Sequence, residues 1–245
     1  MSGHSKWHSI RHKKAAKDEK RGKVLTKHSK VLMVLGQNDS NPETNASLRN
    51  AIINAKADGV PKDNIERILK KLSGEGKGSS IYSEQVYEGF GPEGIPFVVT
   101  ALTDNTNRTY SSIRTAFMKN GGILGNSGSV MFMFNHIGVI TIKNSGKSEE
   151  ALFELAIDAG ADNFEYEEEV SEILTVFTDL GRIRDILSEK VEIIKSEPQY
   201  RVKDPIKIVD KAVLERIEQF IEAVEEADDI DEIFGGFEVD SRIII

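Results

Sequence analysis

The 245-residue chain contains no cysteine. Disulfides, thiolate metal sites and cysteine nucleophiles are thereby excluded. No stretch approaches the run of about 18 apolar residues that a membrane span needs, so no membrane partner is expected. The basic N-terminus lacks the apolar core of a secretory signal, and its lysine excess differs from an arginine-rich mitochondrial presequence. The expected address is the cytoplasm. Catalytic signatures are missing as well: there is no G-x-S-x-G, no H-E-x-x-H and no carboxylate pair beside an evident pocket. No catalytic residue, cofactor or metal is assigned, and a non-enzyme is expected.

What the chain does have is a charge asymmetry. Ten Lys and Arg lie in residues 1–30 (Lys6, Arg11, Lys13, Lys14, Lys17, Lys20, Arg21, Lys23, Lys27, Lys30) against Asp18 and Glu19. That stretch carries +8, which leaves −16 for the rest of a chain whose total is −8. His4, His8, His12, His28 and the single tryptophan, Trp7, share it. Clustered Lys and Arg release counterions from a row of phosphates, so an acidic chain with one cationic end presents that end to a polyanion. Nucleic acid is the expected partner.

Residues 1–21 are polar and nearly free of aliphatic side chains, and read as a mobile basic arm. From Val24 the periodicity becomes helical. Val24, Leu25, His28, Val31, Leu32 and Leu35 recur before Gly36; a second helix is expected from Asn41-Pro42-Glu43, with Leu48, Ala51, Ile52 and Ala55 inward. A third starts at Pro61 and turns Ile65, Ile68, Leu69 and Leu72 inward, giving a helical domain over 22–77. Ser73–Ser80 reads as a linker. It fails the G-x-x-x-x-G-K-[ST] phosphate loop, because Lys71 and Gly78 stand where glycine and a hydroxyl are required.

Beyond the linker the pattern is strand-like. Gln85–Phe90 and Ile95–Leu102 flank a Gly-Pro-Glu-Gly turn, Asn107–Lys119 reads as a helix, and Val130–Phe134 reads as a buried strand. Residues 138–203 repeat βαβ twice, the order of a ferredoxin-like domain. Lys211–Glu226 is an amphipathic helix followed by a strand over Gly236–Val239. These have no sheet of their own, so they are expected to return to the sheet begun near residue 85. The fold class is α+β: the helical domain, a discontinuous α/β domain over 82–137 plus 204–240, and the ferredoxin-like βαββαβ domain 138–203 inserted into it.

Several blocks are recognisable together: Gly3-His4-Ser5-Lys6-Trp7, Arg21-Gly22-Lys23, Pro61-Lys62-Asp63-Asn64-Ile65-Glu66-Arg67, Tyr87-Glu88-Gly89-Phe90-Gly91-Pro92, and Leu102-Thr103-Asp104-Asn105 with Asn107-Arg108-Thr109. In their order along the whole chain, they resemble the YebC family of bacterial regulatory proteins, whose mitochondrial relatives activate translation of a cytochrome oxidase subunit. The resemblance implies a helical N-terminal domain and two α/β domains around a cleft. It also implies control of gene expression, through DNA in the usual description and on translating ribosomes for some members. Glu93 departs from the family, whose turn usually has a second small residue after Gly-Pro. A carboxylate there would weaken any phosphate contact.

The expected phosphate contacts are Lys6, Arg11, His12, Lys13, Lys14, Lys17, Lys20, Arg21, Lys23 and Lys27. Lysine dominates, and lysine meets phosphate as a point charge whereas arginine reads guanine bidentately, so sequence discrimination by the arm should be weak. His4, His8 and His12 are spaced by four, as zinc ligands on a helix would be, but surrounding lysines repel a dication and phosphate or base-edge bonding fits better. Trp7 either stacks on a base or anchors the arm on the protein. Arg108 and Arg114 flank a polar loop where the cleft is implied; as charges six residues apart they also fit plain surface positions. The acidic runs 167–169 and 225–229 read as solvated faces that repel phosphate. Two partners fit this set: DNA for a transcriptional regulator, or ribosomal RNA for a ribosome-associated translation factor.

Overall fold

The computed structural model describes residues 19–75, 82–240 and 242–243. Residues 1–18 of the arm expected over 1–21, and most of the linker, lie outside the described residues, while residues 19–21 belong to a helix. Helix α1 spans Glu19–Gly36, beginning five residues before the apolar periodicity at Val24. It is followed by α2 (Ala46–Ala57) and α3 (Lys62–Lys70). Helix α2 buries Leu48, Ala51, Ile52 and Ala55, the face its spacing predicts, but it starts later than Asn41. Asp39 takes the Asn41 amide at 3.0 Å and the Thr44 hydroxyl at 2.6 Å, while the Asn41 side chain accepts from the Glu43 amide at 3.0 Å. Side-chain bonds of this kind hold 39–44 as a turn and compete with helix. Asn45 is the cap instead: its Oδ1 accepts from the Leu48 amide, and its Nδ2 donates to the carbonyls of Leu35 and Asp39, each at 2.7 Å.

After the linker come β1 (Ser83–Phe90), β2 (Pro96–Thr103), α4 (Thr106–Lys119) and β3 (Ile123–Leu124). Then follow β4 (Phe134–Lys143), α5 (Glu149–Ala159), β5 (Asn163–Tyr166), β6 (Val170–Val176), α6 (Leu180–Ser188) and β7 (Ile193–Val202). The chain closes with β8 (Ile206–Ile208), α7 (Lys211–Glu225), β9 (Ile230–Gly235) and β10 (Phe237–Val239). The protein is thus a mixed helix-and-sheet fold with a helical N-terminal part. Val130–Phe134 is not a strand: a single 3-10 turn covers Met131–Met133, and the strand starts at Phe134. The amides of Val130 and Met131 are taken by the Glu88 carboxylate and cannot join a ladder. Strands β8 and β9 had no counterpart in the sequence reading.

The chain divides into two compact units. One contains residues 24–75 and 136–199. Its sheet has the order β5-β6-β4-β7, so the strands that come second, third, first and fourth in sequence lie side by side in the ferredoxin-like arrangement. Ile140, Ile142, Leu152, Ala156, Ile173, Ile183 and Leu187 fill the space between this sheet and α5 and α6.

The other unit contains residues 82–135 and 200–243. Its main sheet has the order β3-β1-β2-β9, with β8 and β10 paired in parallel beside it. Every residue of β2 is buried, because both faces of that strand are covered. Phe97 and Val99 face a core shared with Ile113 and Phe117 of α4 and Ile217, Phe220 and Val224 of α7. Val98 faces the opposite way, against Val130, Phe134 and Phe234. The Phe220 ring stands 4.9 Å from both Phe97 and Phe117. Gly235 and Gly236 have a steric reason: a Cβ on the first would come within 2.5 Å of Phe237, and one on the second within 2.5 Å of Pro96.

Candidate nucleic-acid interface

Of the expected phosphate contacts, Lys6, Arg11, His12, Lys13, Lys14 and Lys17 lie outside the described residues, as does Trp7. Lys20, Arg21, Lys23 and Lys27 fall on α1. Lys23, Lys27 and Lys30 are spaced by four and three, which places them on one stripe of that helix. His28, Leu32 and Met33 are buried.

The basic helix is held to its unit by polar bonds rather than by packing alone. His28 Nε2 lies 2.8 Å from Asp58 Oδ2. Burial pushes the Asp58 carboxyl up, but the His28 hydrogen bond and the charges of Lys195, His28 and Lys27 outweigh it and hold that pKa below the usual carboxylate value. On the next helix, Asn50 Nδ2 and Asn54 Nδ2 each donate to the Ser196 carbonyl at 2.7 Å, and the Ser196 amide donates to Asn54 Oδ1 at 3.1 Å. Arg49 donates to the carbonyls of Pro42 and Glu43. Arg49, Asn50 and Asn54 of α2 therefore serve the protein itself.

In the second unit, Arg108 is engaged internally. Its guanidinium meets Asp104 at 2.8 Å and Asp229 at 2.9 Å. Its hydrogen bonds to Asp229 first, and to Asp104 next, raise its already high pKa, so it stays protonated. With two carboxylates on one guanidinium, the local charge is negative and repels phosphate. Arg114 is exposed on α4, outside this cluster.

Two residues were not recognised from sequence. Asp229 is only 7% exposed, which corrects its reading as part of a solvated acidic face. It accepts from the Thr109 hydroxyl at 2.7 Å and from Arg108, and its carbonyl accepts from the Leu102 amide at 2.8 Å. Glu88, 5% exposed, accepts from the amides of Gly128, Val130 and Met131 at 2.7, 2.9 and 2.7 Å. Burial pushes its carboxyl up, and these three amides more than compensate, so its pKa is lowered. Nothing local in the sequence marks Asp229 apart from the acids before it. Glu88 carried one cue, a lone acid in the strand block Tyr87–Pro92. Glu93, the departure in the turn, pairs with Arg216 at 2.8 Å and sits at φ 59°, in left-handed backbone space. Glu88 and Arg108, both in the recognisable blocks of the second unit, thus hold a loop and a turn of the protein itself.

Comparison with known proteins decides the lineage. A family described as "TACO1/YebC protein N-terminal domain" matches residues 5–75, and one described as "TACO1/YebC second and third domain" matches residues 82–237. The chain belongs to the TACO1/YebC family. Its relatives include a probable transcriptional regulatory protein of Hathewaya histolytica, 42% identical over 96% of each chain. Another, from Persephonella marina, is 41% identical over 100% of this chain and 98% of that one. A crystal structure of a conserved hypothetical protein from Aquifex aeolicus superposes with a TM-score of 0.84 at 36% identity, covering 93% of this chain and 94% of that one. At the level of the family, these relatives are named probable transcriptional regulatory proteins. Among the described residues no helix is long and apolar enough to cross a membrane.

Proposed function

We propose that the chain is a non-enzymatic, nucleic-acid-binding regulator of gene expression that contacts DNA phosphates through its Lys-rich N-terminus. The observation that carries this reading is the charge division, +8 in residues 1–30 against −16 elsewhere. Relatives named as probable transcriptional regulatory proteins support it. The contacts are Lys6, Arg11, His12, Lys13, Lys14, Lys17, Lys20, Arg21, Lys23 and Lys27, with Trp7 beside them. Arg108 is left out, because Asp104 and Asp229 occupy it.

One observation favours a second reading, docking on ribosomal RNA. The Asn50 and Asn54 side chains of α2 are spent on Ser196, so this helix does not offer them to base edges in a major groove. Crosslinking in cells, followed by sequencing of the attached nucleic acid, tests both. Reads concentrated on DNA support the transcriptional reading, reads on ribosomal RNA the translational one, and neither class enriched over an arm-deleted control overturns nucleic-acid binding.

A further inference from the structure

Helix α4 carries Arg108, Arg114 and Lys119 and no Asp or Glu, in a chain whose total charge is −8. Arg108 is committed to Asp104 and Asp229, whereas Arg114 makes no ion pair or hydrogen bond among the described residues. Tyr110 and Arg114 are four apart, so they are neighbours on one flank of the helix, and both are exposed, Tyr110 at 45%. The Tyr110 ring lies 6.4 Å from that of Tyr87, and a Cβ on Gly89 would come within 2.7 Å of the Phe117 ring. The helix therefore runs along β1, from Tyr87 towards Gly89.

Most of β1 has no strand beyond it on the side away from β2 among the described residues. Strand β3 pairs only with Gly89 and Phe90, and the Gly125 amide meets the Glu88 carbonyl at 2.7 Å. Backbone direction alternates along a strand, so Glu84 and Val86 turn their amides and carbonyls to the same outer side as Glu88. The Glu84 carbonyl accepts from Gln85 Nε2 at 2.8 Å. The Glu84 amide and both backbone groups of Val86 meet no partner there among the described residues. Val86 is 40% exposed. The Glu84 carboxylate turns to the opposite face of the sheet, where its charge raises the pKa of Tyr200.

An open strand edge beside an exposed helix flank is the arrangement to which an extended peptide adds as a further strand. Alternate side chains of a strand stand about 6.8 Å apart, close to the rise of about 6 Å between residues four apart on a helix. One face of an added strand thus offers side chains i and i+2 to Tyr110 and Arg114. Charge selects the guest: a helix with three cations and no acid attracts a carboxylate. Nucleic acid has no row of amides and carbonyls to pair with the edge, and a second copy would set another cationic α4 beside this one.

We propose that the outer edge of β1 at Glu84–Val86, flanked by Tyr110 and Arg114, is a docking site for an extended, acidic segment of a partner protein. The segment pairs with the edge through its main chain, lays an apolar side chain on Tyr110 and sets a carboxylate on Arg114. This site goes beyond the nucleic-acid reading and does not depend on it.

The probe is the fluorescein-labelled peptide Thr-Leu-Val-Asp-Val-Leu-Thr, whose side chains read alike in either direction and place Leu, Asp and Leu on one face. Fluorescence anisotropy with the full chain should show saturable binding. Arg114→Ala should weaken it about tenfold, the size of one hydrogen bond to a charged group, and the same peptide with Lys for Asp should lose as much. Hydrogen exchange at the Val86 amide should slow when the peptide is added, while the Tyr87 amide, which faces β2, should not change. Val86→Pro removes one outward amide, a change that an edge strand tolerates. It should abolish binding with an unaltered circular dichroism spectrum. No saturable binding by the parent would overturn the site, and binding without slower exchange at Val86 would overturn strand addition. Equal affinity for the Asp and Lys peptides would remove Arg114 from it. Slow exchange at Val86 that appears without peptide, as protein concentration rises, would give the edge to a second copy instead. A lower salt slope for a DNA duplex in Arg114→Ala would give that guanidinium to phosphate.

Discussion

The Thr109 hydroxyl donates to the Asp229 carboxylate at 2.7 Å, joining the first turn of α4 to the turn before β9 across 120 residues of sequence. The same oxygen receives Arg108, and the Asp229 carbonyl receives the Leu102 amide. One residue therefore closes the end of the main sheet, where β2, α4 and β9 meet. Replacing Asp229 with Ala removes an acceptor from the buried Thr109 hydroxyl and one of the two carboxylates that hold Arg108. We expect a loss of about 3 kcal/mol, read by urea unfolding. Unchanged stability would mean that the turn holds by packing alone.

Arg108 offers the converse case. Because its guanidinium is occupied by Asp104 and Asp229, Arg108→Ala should leave affinity for a DNA duplex and its salt slope unaltered. A lost unit of salt slope in this variant would return Arg108 to the interface.

Glu88 makes part of the stability pH-dependent. Its pKa is lowered in the folded protein, so the carboxylate stabilises above its unfolded value, about 4.3, and this contribution disappears as pH falls through the lower folded value. Glu88→Gln should cost about 2 kcal/mol at neutral pH, the order of a hydrogen bond to a charged group. The gap between variant and parent should narrow on acidification below that range. A constant gap would show that geometry, not charge, holds the loop over 125–131.

Asn54 and Ser196 exchange two hydrogen bonds that imitate a pair of strands. Asn54→Ala should cost about 2 kcal/mol, near 1 for each bond, and should speed hydrogen exchange at the Ser196 amide. Exchange unchanged at Ser196 would contradict the pairing.

The elements with strong period were legible because local forces set them. The buried face of α2, the Ile113 and Phe117 face of α4, and the βαββαβ order all followed from apolar spacing. What escaped depended on distant partners. Asn41 looked like the start of a helix until Asp39 and Thr44 folded the turn around it, and Val130–Phe134 looked like a strand until Glu88 claimed the amides of Val130 and Met131. Asp229 sits beside the exposed Glu226 and Asp228, and partners far back in the chain, Thr109 among them, set it apart. The internal use of Arg108 was not legible, since its second carboxylate lies far along the chain.

The arm itself is tested by removing charge without removing length. Lys13, Lys14, Lys17, Lys20 and Arg21 changed together to Ala should weaken binding to every duplex alike, because lysines on phosphates carry no base information. Each lost phosphate contact should reduce the slope of log affinity against log salt by about 0.9, so the combined variant should flatten it by about 4.5 if all five engage. A variant that keeps the parent slope would remove the arm from the interface. A variant whose loss depends strongly on duplex sequence would instead assign these side chains to base edges.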